Sequence, residues 1–141
     1  MTETRGKPAW TTSPPSAYDI VACWYPEADA PQDAGPTLRP ALVVTVLKGE
    51  RTGDYACRVA YGTTNLKIVK RREVDLIIPN GHTRQMGLAR ATRFDLDRVI
   101  TLPWVPPFFD PWTGNTTPKI GALTEAYIRD YAFLMMKRGS A

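Results

Sequence analysis

The side chains able to do chemistry in this chain are few, and their types narrow the options. His82 is the sole histidine, so no histidine pair can serve as acid and base, and no histidine–cysteine cluster can hold a metal. It sits in the polar turn Pro79-Asn80-Gly81-His82, a place for an exposed, non-catalytic residue. No carboxylate cluster has ligand-like spacing, and no G-x-S-x-G, phosphate-loop or dinucleotide fingerprint occurs. What remains is cationic and hydroxylic: Arg39, the pair Thr63-Thr64, and Arg93 two residues before Asp95. Such a set suits holding a phosphate and stabilising its charge. Each member also has a plain reading: a surface cation, an ordinary turn pair, a same-face surface ion pair.

The element that must position Arg39 is the longest β-branched apolar run, Leu38-Arg39-Pro40-Ala41-Leu42-Val43-Val44-Thr45-Val46-Leu47. It predicts a central strand over 40–47. Pro40 lacks an N–H for the ladder, so it fits only at the strand's first residue. Arg39 therefore stands at the strand's mouth, beside a long loop over 27–37 that has no apolar periodicity. Further strands are expected at 18–25, 55–61, 74–78, 88–94 and 98–102. The loop Gly62-Thr63-Thr64-Asn65-Leu66-Lys67 carries the threonines and leads into the basic run Lys70-Arg71-Arg72.

Residues 1–16 are polar and proline-rich and read as a flexible tail, leaving a single domain over 17–141. The stretch 103–118 is too rich in proline for regular structure, yet Trp104, Phe108, Phe109 and Trp112 need burial, so it reads as an ordered arm. From 124 to 138 the period becomes helical, with Leu123, Tyr127, Tyr131 and Leu134 on one face and Lys137 and Arg138 at the C-terminal dipole. The fold class is mainly β: a small barrel of five to seven strands, of SH3 or OB type, with a C-terminal helix.

The 141 residues suffice for one core, and 43% hydrophobic with 23% charged residues excludes wholesale disorder. The net charge of +4 is uneven: residues 48–98 hold eleven Lys/Arg against six Asp/Glu, residues 1–47 three against five. A basic middle suggests an anionic partner, with a solvated basic face as the plain alternative. Cys23 and Cys57 lack CxxC spacing and lie in apolar runs, as buried thiols of a reducing cytoplasm do. No apolar run reaches membrane-span length, so a cytoplasmic protein without a membrane partner is expected.

The order of these pieces resembles the MazF/PemK family of toxin endoribonucleases. The matching segments are Tyr18-Asp19-Ile20-Val21, Leu38-Arg39-Pro40-Ala41-Leu42-Val43-Val44, Tyr61-Gly62-Thr63-Thr64-Asn65-Leu66-Lys67, and Gly87-Leu88-Ala89 with Arg93-Phe94-Asp95-Leu96. They cover about residues 17–102. The resemblance implies an SH3-like barrel used as a homodimer, and metal- and cofactor-free cleavage of single-stranded mRNA at short sequences. The neighbouring 2′-hydroxyl would attack the scissile phosphate, giving a cyclic phosphate and a 5′-hydroxyl end. A cognate antitoxin would hold the toxin in check.

On that resemblance Arg39 contacts the scissile phosphate, Thr63 hydrogen-bonds it from the facing loop, and Arg93 and Asp95 serve charge stabilisation and orientation or proton transfer. Thr64 and Asn65 would support Thr63. Bases would lie on Trp24, Tyr25 or Tyr61, and Lys67, Lys70, Arg71 and Arg72 would follow the backbone. Arg90-Ala91-Thr92 is an insertion before the Arg-x-Asp match, so Arg90 competes with Arg93 for its role. The first loop carries Glu27, Asp29 and Asp33 and lacks the histidine some members place there. The alternative is a non-catalytic binding protein on the same barrel, either a CcdB-like gyrase inhibitor acting through its C-terminal helix or an RNA binder that does not cut.

Overall fold

The computed structural model describes residues 7–67 and 74–139. The chain is mainly β: six antiparallel strands in one curled sheet, followed by a single helix. The strands are β1 (Asp19–Trp24), β2 (Leu38–Lys48), β3 (Tyr55–Thr63), β4 (Leu76–Ile78), β5 (Thr92–Pro103) and β6 (Lys119–Ala122), and the helix is α1 (Glu125–Gly139). Their order across the sheet is β4-β5-β3-β2-β1-β6. β2 and β3 carry the β-branched runs and occupy the middle, where both faces are covered.

Alternation along the strands divides the core into two clusters. One holds Val21, Cys23, Ala41, Val43, Cys57, Val59 and Leu102. It is covered by Trp10 and by the arm residues Trp104 and Phe109, with Trp104 Nε1 donating to the Trp10 carbonyl at 2.9 Å. The other holds Ile20, Leu42, Ala60, Ile78, Phe94 and Leu96, and is covered by Met86, Leu88, Leu123 and Tyr131 of α1. Each face thus has its own lid.

Register breaks curl the sheet. At the β3–β5 ladder the partner of Ala60 is Val99, while that of the next residue, Tyr61, is Asp95. Residues 96–98 are extra, and such a bulge bends the strand and increases its twist. The bulge is held by the Asp97 N–H donating to Asp95 Oδ1 at 3.0 Å, and by Arg138 of α1, whose Nε lies 2.8 Å from Asp97 Oδ1. The gap between the outer strands is spanned by a 3-10 turn at Arg84–Met86, packed against β6. That approach needs glycine on both sides. A Cβ on Gly87, whose φ is +77°, would fall 2.3 Å from the Ile120 carbonyl, and one on Gly121 2.2 Å from that of Met86.

Three expectations change. Residues 7–16, read as part of a tail, dock instead: a 3-10 turn at Ala9–Thr12 buries Trp10 to 7% exposure. The separate strands at 88–94 and 98–102 are one strand, because Asp95 and Asp97 sit in a bulge and do not end it. β6 was not expected; four residues including a glycine are too short to show a period, and pairing with β1 makes them a strand. Among the described residues no helix is long and apolar enough to cross a membrane.

Candidate active site

Arg39 lies within β2 opposite Cys23, so its backbone is fixed by the sheet. Pro40, expected as the strand's first residue, is its third, and the ladder to β3 begins only after it, at Ala41. The Arg39 side chain reaches the site from inside the sheet. The half-buried guanidinium has two neutral neighbours. Nη1 donates to the Gly62 carbonyl at a long 3.5 Å, and Cζ stands 5.0 Å from the Tyr61 ring centroid. Neither neighbour cancels the charge, and the ring face is itself attractive to a cation. Tyr61 is held in turn by the Tyr25 ring, edge-on at 5.3 Å, and by Arg98, 4.0 Å from its centroid. Gly62 makes this closeness possible: a Cβ there would fall 2.2 Å from the Pro40 carbonyl and 2.9 Å from the Phe94 ring.

Two clefts meet at Arg39. The first, of about 690 Å³, is lined by Arg39, Thr63, Thr64 and Arg90 together with Leu88, Ile120, Trp112 and Asn115. The second, of about 360 Å³, runs past Tyr25, Tyr61 and Arg98 and is edged by Glu27 and Asp29. Thr63 is buried, and its Oγ1 accepts from the Asn65 N–H at 3.1 Å. That bond fixes the side chain and leaves its own O–H to donate.

Arg93 takes a different place. Directly across the ladder from Thr63, its side chain turns inward to Asp75, with Nη1 2.8 Å from Oδ2 and side chains 7% and 0% exposed. Its Nε donates to the Asn65 carbonyl at 3.3 Å. Arg93 therefore braces the Thr63–Asn65 loop from behind, and Arg90 is the arginine on the cleft wall. Asp95 is half-buried opposite Tyr61 and accepts from Asp97 within the bulge.

The expected RNA-contacting residues are scattered. Thr64 faces the first cleft, and Tyr25 lies at the back of the second, buried, its hydroxyl 2.8 Å from the Arg98 carbonyl. Burial pushes the Tyr25 hydroxyl's pKa well above its ordinary value, with Arg98 opposing in part. Trp24 lines neither cleft; its Nε1 points to Asp110 of the arm at 3.4 Å. Asn65 and Lys67 are exposed at the loop's far end, where Asn65 Oδ1 accepts from the Lys67 N–H. Lys70, Arg71 and Arg72 lie outside the described residues.

Sequence reading did not assign site roles to Trp112, Asn115, Arg98 or Asp75. Trp112 was expected to be buried, although Pro-Trp-Thr-Gly-Asn is also a turn signal around an aromatic. The Asp75–Arg93 pair spans 18 residues of chain and has no local signature. Both cysteines are buried and free; burial raises the pKa of the Cys57 thiol to about 12 and that of Cys23 further, with little nucleophilic thiolate at neutral pH. Among the described residues no three His, Cys, Asp or Glu side chains converge to hold a metal. No protein-family model matches the chain, and no curated protein matches it.

Proposed function

We propose that the chain is a metal-independent endoribonuclease of toxin type, an SH3-like barrel acting as a homodimer and held by a cognate antitoxin. The observation that carries this reading is the Arg39 guanidinium. It is fixed by a carbonyl and an aromatic ring, unneutralised by either, and shared by two clefts beside the Thr63 hydroxyl. A phosphodiester seated on Arg39 would leave one flanking nucleotide in each cleft.

The reaction asks little of the protein beyond that. The 2′-oxygen forms a bond to phosphorus while the bond to the 5′-oxygen breaks, through a phosphorane carrying one more negative charge than the diester. Arg39 and Thr63 would stabilise that charge, with Arg90 as second cation. Arg39 is a poor base, being protonated at every accessible pH. The 2′-hydroxyl proton would pass to a carboxylate, for which the second cleft offers Glu27 and Asp29, with Asp95 behind Tyr61. Solvent would protonate the departing 5′-oxygen. Arg93 becomes a positioning residue for the threonine loop. Lys67 with Lys70, Arg71 and Arg72 would track the backbone and make binding salt-sensitive.

The test is incubation of purified protein, in excess EDTA, with a long single-stranded RNA and mapping of the new ends. Discrete cuts bearing cyclic phosphate and 5′-hydroxyl groups support the reading. Intact RNA from folded, antitoxin-free protein overturns it.

A further inference from the structure

We infer that the turn carrying Trp112 and Asn115 is a nucleobase platform: Trp112 stacks one unpaired base of single-stranded RNA in the first cleft, and Asn115 reads that base's edge. The inference takes its RNA substrate from the ribonuclease reading above, and it concerns the arm, which the family resemblance does not reach.

The arm's aromatics have divided their labour. Trp104 and Phe109 are 2% and 0% exposed and cover the sheet. Trp112 is 37% exposed on the wall of the 690 Å³ cleft. It is not needed to close that core, and a large ring kept in water forgoes burial energy. The turn itself is tight: the Asn115 N–H donates to the Trp112 carbonyl at 2.8 Å, with Gly114 at φ +91° supplying the left-handed step. This sets both side chains on the same cleft as Arg39, Arg90 and the Thr63-Thr64 hydroxyls.

That combination selects the occupant. A π-face beside cations and hydroxyls matches an unstacked base attached to a phosphate, and aromatic stacking tolerates any base. A carboxamide adds a donor and an acceptor in one plane, the means by which base edges are told apart. The cleft volume falls in the range of small-ligand sites, about 300–1,000 Å³, with room for a nucleotide.

The experiment titrates full-length protein with short mixed-sequence single-stranded DNA, which lacks the attacking 2′-hydroxyl, following tryptophan fluorescence and affinity; RNA cleavage sites are mapped in parallel. Wild-type fluorescence should be quenched on binding. Trp112→Ala should weaken binding roughly tenfold or more, Trp112→Phe should keep the affinity and lose the quench, and Asn115→Ala should relax base choice at one position beside the cut. Trp112→Ala binding and cutting like wild type overturns the inference, as does failure of the wild type to bind either nucleic acid. Trp112-dependent binding without any RNA cleavage sinks the nuclease reading alone, whereas cleavage indifferent to Trp112 sinks the platform alone.

Discussion

Arg39 on β2 and Arg93 on β5 flank the strand β3 from either side, and they show what separates a charge that can act from one that holds the fold. Arg93 is 5% exposed and bound to a fully buried carboxylate at 2.8 Å, so its charge is spent inside the protein. Arg39 is half-buried against a carbonyl and a ring, so its position is fixed while its charge still faces a cleft. Residue type and strand position are alike. The partner decides the role.

The largest effect is expected at the closed arginine. Arg93→Ala takes the 2.8 Å guanidinium contact away from the buried Asp75 carboxylate and should cost about 3–5 kcal/mol of stability, read from urea unfolding. Replacing both with leucine should recover most of that loss, since a buried pair is often matched by apolar packing. A single variant as stable as wild type would erase the contrast between the two sites.

At the open arginine the effect moves from stability to rate. Arg39→Ala should slow RNA cleavage about 10²–10³-fold, while its unfolding midpoint stays close to wild type. Thr63→Ala should lose roughly tenfold in rate, the worth of one hydrogen bond near a charged group, with Thr63→Ser restoring most of it. Equal losses in the alanine and serine variants would point to packing of the threonine methyl instead.

This contrast was only half legible in the sequence. The valine run marks β2, but the expectation that Pro40 opens it is wrong: β2 starts at Leu38, and Arg39 and Pro40 both pair with β1 inside the ladder. Nothing near Arg93 announces Asp75, which reaches it through the β4–β5 pairing, a long-range contact. The central strands were readable from their β-branched runs. β6 was not, since Lys-Ile-Gly-Ala becomes a strand only by pairing with β1. Trp10 hid in a stretch whose proline and hydroxyl content reads as tail, and one large aromatic outweighed that composition by closing a sheet face.

The smallest expected effect concerns the interior behind the site. Burial raises the Cys57 pKa from 9.0 to about 12, and pushes up Cys23 and Tyr25 in the same direction. The unfolded chain therefore releases these protons first, so their contribution is complete below pH 9.0 and is lost as pH rises towards about 12. The urea midpoint should fall across that window, less steeply in Cys57→Ala. A midpoint with the same alkaline slope in both proteins would remove Cys57 from the account.

The central claim of the proposed reading is that the half-buried guanidinium of Arg39, held by a carbonyl and a ring and facing the cleft, does the chemistry. Its most direct test is the single-turnover cleavage rate of a mapped RNA by wild type and Arg39→Ala, at saturating protein and matched folding. A fall of about 10²–10³-fold with the cut sites unchanged is the predicted result. Equal rates in the two proteins would contradict the claim and return Arg39 to the surface cations.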